Sequence, residues 1–239
     1  MADWKAKRFW ESASVTGDAA EGWGVALDGR PVRTPAKVPL AVPSRALAER
    51  IAAEWDAQDG EIDPLSMPFT RSANAAIDKV APQFAAVAAM IADYGETDLC
   101  CYRAAEPDQL CRQQADAWDP MLEWARAAFG ARLVPTVGVV PVSQPEESLE
   151  RLRERVASLD AFALTALHDL VSLSGSLLLG LAVLEGHLPA EEAWRRSRID
   201  ETYQQSQWGV DELAAAAAAV KREEFLHAIR FHDLSRADA

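Results

Sequence analysis

The chain has 239 residues, enough for one large domain or two modest ones, each with its own core. At 49% hydrophobic and 26% charged it has an ordinary globular composition, which excludes a disordered or fibrous chain. Its net charge of −13 repels a phosphate backbone and argues against nucleic acid as a partner.

Residues 1–50 hold eight Lys/Arg against six Asp/Glu, so the acidity lies beyond the first fifth of the chain. That first part reads as β. Residues 8–15 and 23–27 are predicted strands, and Asp28-Gly29 between Leu27 and Arg30 is a hairpin signal, because a tight primed turn needs positive φ at its centre. Pro31, Pro35, Pro39 and Pro43 cannot donate to a ladder and predict short edge strands. Ser44 then caps a helix to about Gln58, with Leu47, Ile51 and Trp55 at helical spacing.

Residues 70–80 and 82–94 are predicted as two helices, with Gly95 as the stop, and 97–103 as a strand. Pro107 opens another helix. Asp119-Pro120 restarts it, since Asp suits an N-cap and Pro the first helical position, and Gly130 ends it. Residues 133–142 are β-branched and predict a strand that returns to the N-terminal sheet. From Pro145 on the prediction is helical. An amphipathic helix covers 146–159, one buried helix 161–184, another 189–208, and Asp211 caps a last one through an alanine run to Phe231. Within 161–184, Ser172, Ser176 and Gly180 recur every four residues, where small side chains let a second helix approach. The sum is an α+β fold, an N-terminal α/β domain (1–93) with a small antiparallel sheet and an all-α helical domain (94–239).

The apolar run 170–184 is only 15 residues long, short of the roughly 20 a membrane span needs, so it reads as a core helix. Neither an apolar signal core nor a basic presequence is found before Trp4, and a cytoplasmic location is expected. Cys100, Cys101 and Cys111 form no even disulfide framework and no C-x-x-C, so they read as reduced thiols.

Catalytic constellations are missing from the pattern. Gly17, Gly22 and Gly24 cluster without forming a phosphate loop. His168, His187, His227 and His232 have no metal-ligand spacing, so no metal or cofactor is expected. His168-Asp169 resembles a dyad, but neighbours on a helix point about 100° apart and no nucleophile elbow accompanies them. Glu96 and Asp98, with His168, support one alternative, a small enzyme with an acidic interdomain cleft.

The helix predicted over 189–208 is more informative. Trp194, Glu201 and Trp208 recur every seven residues, placing a carboxylate between two indoles on nearly one face, with Arg198 one turn before it; the face is either half-buried, with Glu201 salt-bridged to Arg198 or another Arg at its rim, or part of a recognition surface. Eight tryptophans are many for this length. Trp4, Trp10 and Trp23 fall in the β part, and Trp118 and Trp124 flank Asp119-Pro120. Most are expected in cores, and an excess over core needs favours a protein-binding surface.

Several strings in order carry a family resemblance: Lys7-Arg8-Phe9-Trp10, Leu27-Asp28-Gly29-Arg30-Pro31-Val32-Arg33-Thr34-Pro35, Glu54-Trp55-Asp56-Ala57-Gln58 and Met67-Pro68-Phe69-Thr70-Arg71. Then follow Tyr94-Gly95-Glu96-Thr97-Asp98, Trp118-Asp119-Pro120, Ser174-Gly175-Ser176-Leu177, and Asp200-Glu201 leading to Gln207-Trp208-Gly209. Together they resemble the ATP-twelve family of ATP synthase assembly chaperones over nearly the whole chain. The resemblance implies an N-terminal α/β domain and a helical C-terminal domain. It also implies a non-enzymatic role: holding the free alpha subunit of the ATP synthase catalytic sector until it meets beta, without a cofactor. The family is found in mitochondria and alpha-proteobacteria, and the resemblance here is to the bacterial, cytoplasmic type. The family's important acidic residue is best matched by Asp200 or Glu201, and Trp194, Arg198 and Trp208 complete the expected client-binding set. A permanent accessory subunit of the complex is the third reading.

Overall fold

The N-terminal sheet starts with a hairpin, and its first strand begins later than the hydrophobic pattern predicts. The computed structural model describes residues 7–138 and 140–237; Trp4 lies outside the described residues. Strand β1 covers Ala13–Asp18 and β2 Gly22–Leu27, paired antiparallel from Ala13↔Leu27 to Asp18↔Gly22. Residues 8–12 stay out of the strand, with the carbonyls of Trp10 and Glu11 taken by Arg8. Its guanidinium donates to Trp10 O at 2.9 Å, to Asp56 O, Gln58 O and Glu11 O at 2.7 Å each, and so ties the entering chain to the end of the first helix.

The Asp28-Gly29 turn is a primed hairpin with φ of 47° and 77°. The Asp28 carboxylate accepts the N–H groups of Ser12 and Glu11, which hold its pKa below the usual carboxylate range. The proline-punctuated stretch yields only two-residue strands, β3 (Arg30–Pro31) and β4 (Ala41–Val42), both paired antiparallel with β2. Helix α1 (Arg45–Asp56) is capped by Ser44, whose Oγ accepts Leu47 N–H at 3.0 Å and donates to Leu234 O. Leu47, Ala48 and Ile51 lie beneath it, wholly buried.

Helix α2 (Pro68–Ala75) has no cap of its own, since Met67 offers no side-chain oxygen. Glu54 of α1 supplies one: its buried carboxylate accepts Phe69 N–H and Thr70 N–H at 2.8 Å and Thr70 Oγ at 2.7 Å. The helix then widens to a π turn over Ala76–Val80, where Asp78 grips the 34–36 loop through Thr34 Oγ (2.6 Å) and Ala36 N–H (3.0 Å). These elements up to Phe84, with Ala161–Thr165 and the stretch from Arg230, form one unit; Ala85–Asp160 and Ala166–Ile229 form the other.

The second unit is mainly helical, and the helices from here on are α3 (Phe84–Ala92), α4 (Asp108–Phe129), α5 (Glu146–Ala157), α6 (Ala161–Ser174), α7 (Leu177–Leu184), α8 (Ala190–Ser197), α9 (Ile199–Trp208) and α10 (Glu212–Ser235), of which Phe84, the start of α6 and the end of α10 belong to the first unit. The fold class is thus α+β, a small antiparallel sheet followed by helices. Five local expectations change. Residues 97–103 form a 3-10 turn (Leu99–Cys101) and a two-residue strand β5 (Tyr102–Arg103), rather than one strand. Of 133–142 only Thr136–Val137 is a strand, β6; it pairs parallel with β5 and does not return to the N-terminal sheet. Val139 in that stretch lies outside the described residues. The reason is that side chains occupy the backbone that a ladder would need. Gln144 bonds both Val134 N–H (2.7 Å) and Val134 O (3.0 Å), and Ser148 Oγ does the same for Arg132.

Pro120 does not restart a helix. It sits inside an unbroken α4, and Asp119, instead of capping, pairs with Arg103 at 2.8 Å. Trp118 is fully buried beside it, donating its indole N–H to Arg196 O at 3.0 Å. The segment 161–184 is two helices, divided by Gly175 at φ 74° and re-capped by Ser176. The two lie in close contact: a Cβ on Gly180 would come within 2.8 Å of Val171 Cγ2. The fifth change, at Arg198, bears on the site.

Every residue of α7 is buried, as its composition leads one to expect. The helical run Pro68–Cys101 is, by length and composition only, apolar enough to cross a membrane, with 28% of its apolar 18-residue stretch buried. It is a succession of α, π and 3-10 pieces whose inward residues, such as Phe69, Ala73, Ile91 and Cys101, belong to the two cores.

Candidate functional site

The predicted helix 189–208 is interrupted at Arg198, where φ −115° and ψ 19° close α8 and open α9. This break gives the sequence-predicted residues different jobs. Trp194, at the end of α8, is buried and packs on Phe225, with ring centroids 5.7 Å apart. Arg198 lays its guanidinium 5.6 Å from the centre of that indole and reaches Glu201 with an N–O distance of 2.8 Å. Cation–π and ion-pair contacts together hold Arg198 in one place. Glu201 is 44% exposed at its side chain, so the pair contributes at most about 1 kcal/mol to stability; its consequence is orientation.

Asp200 faces inward. Its Oδ1 accepts the Gln114 side-chain N–H at 2.6 Å, while Gln114 Oε1 accepts Ala104 N–H at 2.8 Å. Gln114 is buried on α4, so Asp200 ties α9 to α4 through an amide bonded at both its nitrogen and its oxygen. One of the two neighbouring carboxylates is therefore anchored within the helical unit, and the other stands at its surface. Trp208 ends α9 at 80% exposure. It is the tryptophan that stands in solvent among the described residues: Trp10, Trp118 and Trp194 are buried, and Trp23, Trp55 and Trp124 half-buried. The heptad spacing of Trp194 and Trp208 thus spans a buried anchor and an exposed one.

A cavity of about 340 Å³ opens beside α4, α8 and α9, lined by Asp116, Glu192, Arg195, Arg196, Ile199 and Thr202 among others. Glu192, Arg195 and Arg196 in its lining are paired with one another. Arg195 donates to Glu192 at 2.8 and 2.7 Å and Arg196 at 2.7 Å; these contacts, Arg195 first, hold the Glu192 carboxyl below its ordinary range. Arg196 also donates to Ala117 O at 3.0 Å.

The residues of the enzymatic alternative are placed apart from any such work. Asp98 is wholly buried and caps two helices: it accepts Ser176 Oγ at 2.8 Å, Cys100 N–H at 2.9 Å and Leu178 N–H at 3.0 Å. Glu96 pairs with Arg153 at 3.5 Å on the surface, and His168 bonds its neighbour Asp169 at 2.9 Å. Among the described residues no group of three His, Cys, Asp or Glu is arranged to hold a metal ion. Sequence reasoning missed the capping role of Glu54. For Glu54 a signal existed, a helix opening Met67-Pro68 with no capping side chain of its own.

Comparisons with known proteins bear on the family and the fold. The model of the family described as ATP12 chaperone protein matches residues 7–126. A crystal structure of Atp12 from Paracoccus denitrificans is 54% identical, with 98% of this chain and 100% of that one covered at a TM-score of 0.94. A substitution mutant of Atp12p from P. denitrificans is 53% identical, with the same coverage and TM-score. The mitochondrial protein atp12 of Schizosaccharomyces pombe is 26% identical over 217 residues, 85% of this chain and 74% of that protein. The chain belongs to the ATP12 chaperone protein family.

Proposed function

We propose that this chain is an assembly chaperone of the ATP synthase catalytic sector, a cytoplasmic, non-enzymatic protein that binds the free alpha subunit until it pairs with beta. The observation that carries this reading is the division of labour on α9. Asp200 is locked to Gln114, while Glu201, steadied by Arg198, and Trp208 are presented outward. A rigid helix offering one oriented carboxylate and one indole suits a protein partner, since Trp and charged groups are the usual anchors of interfaces. Family membership supports it, as do the Glu192–Arg195 pairing in the cavity lining and the structural roles of Asp98 and Glu96. An unassembled subunit exposes surface meant for its neighbour, and such obligate interfaces are large and apolar.

The test is capture of purified alpha subunit by the tagged full-length chain. Wild type binds, and Glu201→Lys binds at least tenfold more weakly while its far-UV spectrum and melting stay close to wild type. Failure of the wild type to capture the subunit under several salt conditions overturns the reading. Unfolding by Glu201→Lys would instead make that carboxylate structural.

A further inference from the structure

We propose, resting on the client reading above, that the α9–α10 tip is the main docking element, and that it enters an apolar groove with a basic rim on the client. Trp208, Val210, Leu213 and Val220 are 80%, 64%, 84% and 61% exposed. On α10, Leu213, Ala217 and Val220 fall at i, i+4 and i+7, so they form one stripe along the helix. Asp211 holds the start of that helix, accepting Leu213 N–H at 2.9 Å and Ala214 N–H at 3.2 Å, and Gly209, at φ 90°, makes the turn from α9. Large apolar side chains so bared within thirteen residues gain about 1.5–3 kcal/mol each on full burial, which is the driving force an interface needs. The run Ala214 to Ala219 between them has no rotamer freedom to lose, so its packing against a partner carries little entropic penalty.

The charge pattern selects the occupant. Residues 199–220 contain Asp200, Glu201, Asp211 and Glu212 and no Lys, Arg or His. The start of the apolar stripe is flanked by Glu201, Asp211 and Glu212, with Lys221 only at its far end, so it complements an apolar groove whose rim carries cations there. A second copy is disfavoured, because two tips would bring Glu201, Asp211 and Glu212 of each chain, six carboxylates, together between chains that each carry −13. An anionic lipid surface is disfavoured for the same reason. The tip is also continuous with the Arg198–Glu201 pair on the same helix, so both contact one partner.

The test compares full-length wild type, the double variant Leu213→Asp/Val220→Asp, and Leu65→Asp, which alters a residue 78% exposed on the other unit. Purified alpha subunit is the probe. The double variant should bind at least tenfold more weakly with unchanged melting, Leu65→Asp should bind like wild type, and the wild-type complex should weaken as salt rises. Wild-type binding by the double variant overturns the tip while leaving the client reading in place. No binding by wild type overturns the client reading and the tip with it. If the double variant melts early, hydrogen exchange on the wild type decides: protection of 208–220 by the alpha subunit supports the proposal, and its absence overturns it. A wild-type dimer, or wild-type binding to anionic vesicles, that the double variant abolishes also overturns it.

Discussion

The carboxylate of Asp98 accepts the hydroxyl of Ser176 at 2.8 Å, across 78 residues of sequence, in a spot closed to solvent. Ser176 Oγ in turn accepts Leu179 N–H at 3.0 Å, so one carboxylate caps α7 directly through Leu178 and indirectly through Ser176. Burial pushes the Asp98 carboxyl up, and the N–H groups of Leu178 and Cys100 and the Ser176 hydroxyl pull it back.

Asp98→Ala strands three buried donors, each costing about 1–3 kcal/mol when left unpaired, so urea unfolding should show a loss of about 3 kcal/mol or more. Asp98→Asn retains one acceptor oxygen and should lose clearly less. Equal effects of the two variants would show that volume, not hydrogen bonding, sets the cost.

Gly180 and Gly175 should fail for different reasons. Gly180→Ala places a methyl 2.8 Å from Val171 Cγ2 and 3.2 Å from Leu167 Cδ1, an overpacking that costs about 1–3 kcal/mol. Gly175→Ala meets open space but must hold φ 74°, at about 1–2 kcal/mol. Val171→Ala should therefore relieve the first substitution and not the second in a double-mutant cycle; relief of both, or of neither, contradicts this account.

The His168–Asp169 hydrogen bond raises the His168 pKa above its ordinary 6.5, with burial opposing it. A raised folded-state pKa means the pair's stabilisation is complete below pH 6.5 and fades as pH rises through the higher folded value. Asp169→Asn should return the His168 NMR titration toward 6.5 and flatten the stability profile in that window. A midpoint unmoved by the substitution would remove Asp169 as the cause.

Thiol titration should separate the cysteines. Burial pushes the Cys100 thiol far up and Cys101 to about 12, whereas Cys111 is half-buried, with its thiol donating to Ala104 O at 3.1 Å. An aromatic disulfide reagent at pH 8 should modify Cys111 alone in the native chain and all three cysteines in guanidinium. Rapid native reaction at Cys101 would contradict its burial.

Much of the first unit was legible because its signals are local. Asp28-Gly29 demands a primed turn wherever it stands, Ser44 demands a helix after it, and prolines shorten the edge strands. The displaced start of β1 was not legible, because it accompanies Arg8 drawing carbonyls from residues near it and from 56 and 58. Strand 133–142 failed likewise: β-branched composition is a local fact, but Gln144 competing for the backbone of Val134, and Ser148 for that of Arg132 just before it, is not.

For the candidate site, the sequence by itself determined the residue types, the acidic helical part, the Arg198–Glu201 spacing and the family resemblance, since each is a property of order along the chain. Only the tertiary structure decided which carboxylate is anchored and which is offered, because Gln114 lies 86 residues from Asp200. It also parted Trp194 from Trp208: a helix break at Arg198 and a cover from Phe225 bury one indole, while the other is left at the tip. Periodicity assumes an unbroken helix, and burial depends on what packs against it; neither is written in the spacing of the residues alone.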